Sequence, residues 1–282
     1  MPASRSFRLI LLPLVASAFL FATGCGGGGG GSGGGDDGFP TPKLPADAAR
    51  FDATNANDIA DTAVGFVGTL DTVAELKSEE SASLAEVARL ATDRVMRNLR
   101  TSPSVAARTE DISAGLCVSG KAVASIEESG SDVSGSVTFT ACEIGGGIVI
   151  NGSFSYDASM NATTLDYSFH VGGTLTVAAA GETAGIVMNL LESGNDGTGA
   201  ISSNVSFSLS GIPDSGFLVT TAQNWAGNVF SAEITSGRLI IHGSDNTRIR
   251  ITVTGINTAS VELDDGSGTF VPLPAPDDTI LF

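Results

Sequence analysis

Val133-Ser134-Gly135-Ser136-Val137-Thr138-Phe139-Thr140-Ala141 places a small or apolar residue at each odd position and a hydroxyl at each even one. Successive side chains of an extended chain point to opposite faces, so this run has one dry face and one wet face. The same beat recurs downstream. Ile148, Ile150, Phe154 and Tyr156 alternate with Asn151, Ser153 and Ser155, and Leu165, Tyr167 and Phe169 with Asp166, Ser168 and His170. Val205, Phe207 and Leu209 alternate with Ser206, Ser208 and Ser210, and Ile249, Ile251 and Val253 with Arg248, Arg250 and Thr252. Turn chemistry separates the runs at Ser129-Gly130, Asn195-Asp196-Gly197, Gly243-Ser244-Asp245-Asn246 and Asp265-Gly266. The spacing gives about a dozen short strands. No helical pattern of useful length interrupts them, so each strand pairs antiparallel with its neighbour.

Upstream of Leu116 the period becomes helical. Ile59, Ala63, Phe66, Val67, Leu70, Val73 and Ala74 form one apolar stripe; Leu84, Val87, Ala88, Ala91, Val95 and Leu99 form a second. Ser83 to Glu86 resembles a capping box, and Pro103 ends the second pattern. Arg89, Arg94, Arg97 and Arg100 fall opposite that stripe and read as a solvated face. A sheet of this length must curl, close or split. The expected fold is mainly β, with two N-terminal helices packed on a long curved antiparallel β-meander, open and barrel-like. A two-sheet β-sandwich is the alternative.

Register links two of the three cysteines. A hairpin turning at Ser129-Gly130 sets Cys117 directly opposite Cys142, with Ile126 facing Val133 and Ala122 facing Val137. Non-hydrogen-bonded antiparallel pairs bring Cα atoms to about 4.5 Å, within disulfide range. A turn at Gly130-Ser131 instead shifts the register by two and sets Cys117 opposite Ile144.

The N-terminus reads as an export signal. Arg5 and Arg8 are its only charges, and residues 9–21 are almost continuously apolar, too short to span a bilayer as a mature helix. The run closes on Ala22-Thr23-Gly24-Cys25, which resembles the lipobox of bacterial lipoproteins, with Ala22 where that family usually carries Leu. The resemblance implies acylation, such as with palmitate, at Cys25 and membrane tethering outside the cytoplasm. Gly26 stands where an Asp would resemble an inner-membrane retention signal, which implies the outer membrane. Residues 26–35 are glycine except Ser32, a composition of flexible leashes. Val137-Thr138-Phe139-Thr140-Ala141-Cys142 followed by Asn151-Gly152 also resembles uncharacterised Gram-negative lipoproteins, a family that brings no activity with it. With Cys25 taken by lipid, Cys117 and Cys142 remain as a disulfide pair in an oxidising compartment. The expected plan is a signal peptide over 1–24, lipidated Cys and Gly/Pro-rich linker over 25–50, a helical segment over 51–110 and an antiparallel β domain over 111–282.

The formal charge is −17; removing the signal takes two arginines and no acids and makes it −19. No Lys or Arg lies between Lys121 and Arg238, while eleven acids do, which disfavours nucleic acid as a partner. His170 and His242, the only histidines, fall within expected strands, and no cluster has zinc-ligand spacing. Gly30-Gly31-Ser32-Gly33-Gly34 matches a nucleophile elbow in letters only, with no strand before it. Asp264-Asp265-Gly266-Ser267-Gly268 and residues 192–199 read as turns rather than calcium loops. Trp225 follows Gln223-Asn224 in a loop-like stretch and reads as a cap on a core edge. No catalytic, cofactor-binding or metal residues emerge, and no cofactor is expected. The function this favours is a membrane-anchored, non-catalytic binding or interaction module for a lipid, glycan or envelope protein. The alternative is an envelope hydrolase with a carboxylate-based site.

Overall fold

The computed structural model describes residues 38–68, 108–129, 131–212, 215–231 and 233–273. The helix expected over 84–99 lies outside them, as does Cys25.

The alternating runs form one antiparallel sheet whose spatial order is its chain order. Its strands are β1 (Arg108–Asp111), β2 (Ser119–Ser129), β3 (Asp132–Glu143), β4 (Val149–Met160), β5 (Asp166–Ala179) and β6 (Glu182–Asn195). They continue through β7 (Ala200–Ser210), β8 (Phe217–Asn228), β9 (Glu233–His242), β10 (Arg248–Gly255), β11 (Thr258–Asp264) and β12 (Val271–Pro272). The twelve strands make one open sheet, not two, and among the described residues nothing pairs β12 with β1.

The dry face is continuous from β2 to β11. Ala122, Phe139, Phe154, Leu175, Ile186, Phe207, Val219, Ile241, Ile249 and Leu263 belong to one buried cluster. Helix α1 (Ala56–Gly68) joins it through Ala56, Ile59, Ala60, Ala63 and Val64. That is the spacing of a single helix face, and it approaches β10 and β11. A second helix, α2, is one turn, Ser113–Leu116.

Aromatic side chains on this face lie across cross-strand glycines. Tyr156 pairs with Gly135, Phe154 with Gly173 and Tyr167 with Gly194. A Cβ at Gly173 would meet the Phe154 ring at 2.4 Å, and one at Gly194 would meet the Tyr167 hydroxyl at 2.6 Å. The missing side chain leaves a slot that the ring fills, the rescue of strand glycine by a neighbouring aromatic.

Ser129 pairs with Asp132, so the β2–β3 hairpin turns between them, and this corrects the register expected from a turn at Ser129-Gly130. Ala122 therefore faces Phe139, and Ile126 faces Gly135. The cysteines still meet, for a reason spacing does not reveal. A bulge sets Gly120 against both Ala141 and Cys142, so the ladder resumes with Ser119 opposite Glu143. Ala141 takes a positive φ of 45° there, and its N–H donates to Asn151 Oδ1. Cys117 closes α2 instead of extending β2. The sulfur atoms stand 2.05 Å apart, with Cα atoms at 5.2 Å. Cys142 is buried in the core, not on the wet face.

The proline-rich stretch before α1 runs along the sheet. Phe39 stacks on His170 at 3.7 Å on the outer face, opposite the core. Asn189 Nδ2 donates to the Pro40 carbonyl, and Asp47 accepts from the Gly211 amide. Ala49 then bridges Gly216 and Ser244 through its backbone, and Phe51 turns into the core, where its N–H donates to Thr247 Oγ1. From Phe39 the described chain thus runs along the outer face, crosses the rim and enters the inner face as α1.

Candidate functional site

In the described sheet, every Arg or Lys after Lys121 stands on one patch of the outer face, because β9 and β10 alternate. Ile249 and Ile251 go to the core, which turns Arg248 and Arg250 outward; Leu239 and Ile241 do the same for Arg238 and His242. Register sets Arg248 between His242 and Asp264, Arg250 between Ile240 and Glu262, and Arg238 opposite Thr252. Arg250 grips Glu262 with both arms, Nε to Oε2 at 2.6 Å and Nη2 to Oε1 at 2.7 Å. Arg248 donates twice to Asp264 Oδ2, and Arg238 Nε donates to Thr252 Oγ1. Phe270, from the loop after β11, lies 5.1 Å from the Arg248 guanidinium and 4.2 Å from that of Arg250. Cation–aromatic contacts of this kind contribute roughly 0.5–2 kcal/mol each.

These contacts fix the charge states. The Arg248 hydrogen bonds hold the Asp264 carboxyl below its ordinary range, and amides of Gly266 and Gly268 donate to its other oxygen. The Arg250 fork does the same to Glu262, and Glu262 in turn raises Arg250. Burial, and then the nearby Arg248, lowers the His242 imidazole below 6.5, while its Nε2 meets Thr220 Oγ1 at 2.9 Å. General acids need a pKa moved up toward neutrality; these carboxyls move the other way.

The inner face also holds a carboxylate, at the end nearer the β6–β7 turn. Glu192 accepts from the Tyr167 hydroxyl at 3.1 Å and the Ser203 hydroxyl at 3.4 Å. Trp225, read from sequence as loop, is buried in β8 on the strand position opposite Ser203. Among the described residues no three His, Cys, Asp or Glu side chains gather as a metal needs. Asp264 and Asp265 instead accept backbone amides of their own turn. No described helix is long and apolar enough to cross a membrane.

Of the residues singled out from sequence, the structure brings Cys117 and Cys142 together and keeps His170 and His242 on separate strands. Sequence reasoning missed the arginine–carboxylate patch. Its signal was present: Arg248 and Arg250 stand two apart, as do Glu262 and Asp264, and the turn at Ile256-Asn257 folds one pair onto the other. Phe270 left no such signal. The chain matches no protein-family description, and neither a curated protein nor a solved structure is significantly similar to it.

Proposed function

We propose that this protein is a lipid-anchored envelope protein, held at the outer membrane through Cys25, whose β domain is a non-catalytic binding module. The observation that carries the non-catalytic reading is the engagement of the buried and half-buried carboxylates. Asp264 and Glu262 are locked to arginines, and Glu192 to two hydroxyls, so each serves the sheet's own packing. The binding surface is the outer face, where exposed Asn151, Ser153, Thr174 and Thr176 stand in register across β4 and β5. Rows of hydroxyls and amides at strand spacing suit a polar polymer such as a glycan, or an envelope protein, better than an apolar ligand. The leader and the Cys25 motif supply the address. The test is density-gradient fractionation of cells producing the full chain. The protein should co-migrate with outer membrane, as a mature chain whose first residue is an acylated Cys25. Recovery in the cytoplasm with an intact leader would overturn it.

A further inference from the structure

Four consecutive hairpin tips line one end of the sheet, and three of them carry exposed apolar side chains: Leu165 between β4 and β5, Val229 and Phe230 between β8 and β9, and Ile256 between β10 and β11. Phe230 is 59% and Ile256 60% exposed, while Leu165 and Val229 are each at 36%. The fourth tip, 196–199 between β6 and β7, joins them into a ridge. A Cβ on its Gly197 would meet Leu165 Cδ1 at 3.0 Å, and one on its Gly199 would meet the Phe230 ring at 2.6 Å, so apolar groups flank this tip on both sides. Asparagines lace the tips together. Asn195 Nδ2 donates to the Thr164 carbonyl, Asn228 Nδ2 to the Thr198 carbonyl, and Asn257 Oδ1 accepts from the Ile234 amide. A braced ridge holds its apolar side chains out at little entropic cost to a partner.

We propose, resting on the Cys25 anchor reading, that this ridge is a second membrane contact, seated on the surface of a zwitterionic bilayer. The start of the described chain argues for that occupant. Phe39 lies over His170, five residues along β5 from Leu165, or about 17 Å at strand rise. Cys25 and Gly38 are thirteen positions apart, and such a stretch spans at most ~45 Å. Lipid at Cys25 and the ridge can therefore reach one membrane plane together. Four side chains alone bind weakly, but a tether makes the contact intramolecular, at an effective concentration near the millimolar range. Charge selects the lipid. Asp196 and Glu233 flank the tips, and none of the four tips bears a Lys or Arg, so anionic headgroups are repelled.

The test reconstitutes the full-length protein in phosphatidylcholine vesicles with brominated acyl chains. It compares Phe230→Trp with Thr176→Trp, an exposed position near the opposite end of β5; Trp225 is common to both. The proposal expects Phe230→Trp fluorescence to be quenched several-fold more than Thr176→Trp. Equal quenching in vesicle-bound protein overturns the ridge contact and leaves the anchor standing. Quenching of the Phe230→Trp variant in a chain that carries no acyl group upholds the ridge and overturns the anchor. A chain that does not float with vesicles overturns both. Equal quenching with self-association that Phe230→Asp abolishes assigns the ridge to a second copy instead and overturns the bilayer as its occupant.

Discussion

At the scale of single residues, the arginine patch shows how the sheet places the three cations that follow Lys121. Arg248 and Arg250 pin β11 and, through Phe270, the loop after it. Asp264 is fully buried and serves Arg248 with one oxygen and two loop amides with the other. Asp264→Ala should therefore cost about 3 kcal/mol in urea unfolding, because it strips a half-buried ion pair and the acceptor of two amides together. A loss no greater than that of an exposed substitution would mean the pair is ornamental. His242 gives a pH signature. Its folded pKa lies below 6.5, so between the two values the unfolded chain holds a proton that the folded one does not. Its stabilising contribution is full above pH 6.5 and falls as the pH drops through that window. The melting temperature should decline between about pH 7.5 and 5.5 more for the native chain than for His242→Gln; parallel profiles would contradict the assignment.

At the scale of elements, the strands were legible and their joints were not. A period of two survives any register, so Val133 to Ala141 could be read as a strand from its letters alone. Alternation cannot tell the turn from one a position along, and the bulge at Gly120 depends on the positive φ angles of Gly120 and Ala141 and on the Asn151 contact with the Ala141 amide, which no alternation encodes. Trp225 was hidden for the same reason. The β7–β8 and β8–β9 registers shift around it, so bulges break the period that would have marked the strand. The aromatic–glycine pairs predict an asymmetry across β5. Gly173→Ala forces a methyl into the Phe154 ring and should cost roughly 2 kcal/mol, whereas Thr174→Ala, next door on the wet face, should stay within about 0.5 kcal/mol. Equal costs in denaturant titrations would show that the sheet yields at this position, since the added Cβ meets the Ser153 carbonyl at 2.2 Å as well as the ring. The disulfide closes a loop between residues 25 apart, a constraint of ~3 kcal/mol in the chain-entropy estimate. Reduction should lower the melting temperature by roughly 10 °C for a domain of this size, and non-reducing peptide maps should recover Cys117 joined to Cys142. Two thiols open to alkylation in the native protein would refute the link.

At the scale of the whole molecule, antiparallel sequential pairing follows from a dozen alternating runs with short turns and no crossover helix, which is why the meander could be anticipated. One sheet rather than two is decided by the continuity of the dry face, a sum over many strands. The proline-rich stretch looked like a free linker because Pro40, Pro42 and Pro45 exclude helix and ladder alike. They do not exclude lying flat on a sheet, and Phe39 on His170 with Asp47 on Gly211 makes that happen. The candidate surface was the least legible part, since hydroxyl rows read in sequence as solvent-facing filler and gain meaning only when register aligns them. The proposed address rests on the sequence alone, because an export signal and a Cys25 motif act through local chemistry that needs no fold. Metabolic labelling with palmitate therefore reads out acylation at Cys25 itself. Label should enter the native chain and not Cys25→Ser; equal labelling of the two, or none in either, would refute the lipid anchor.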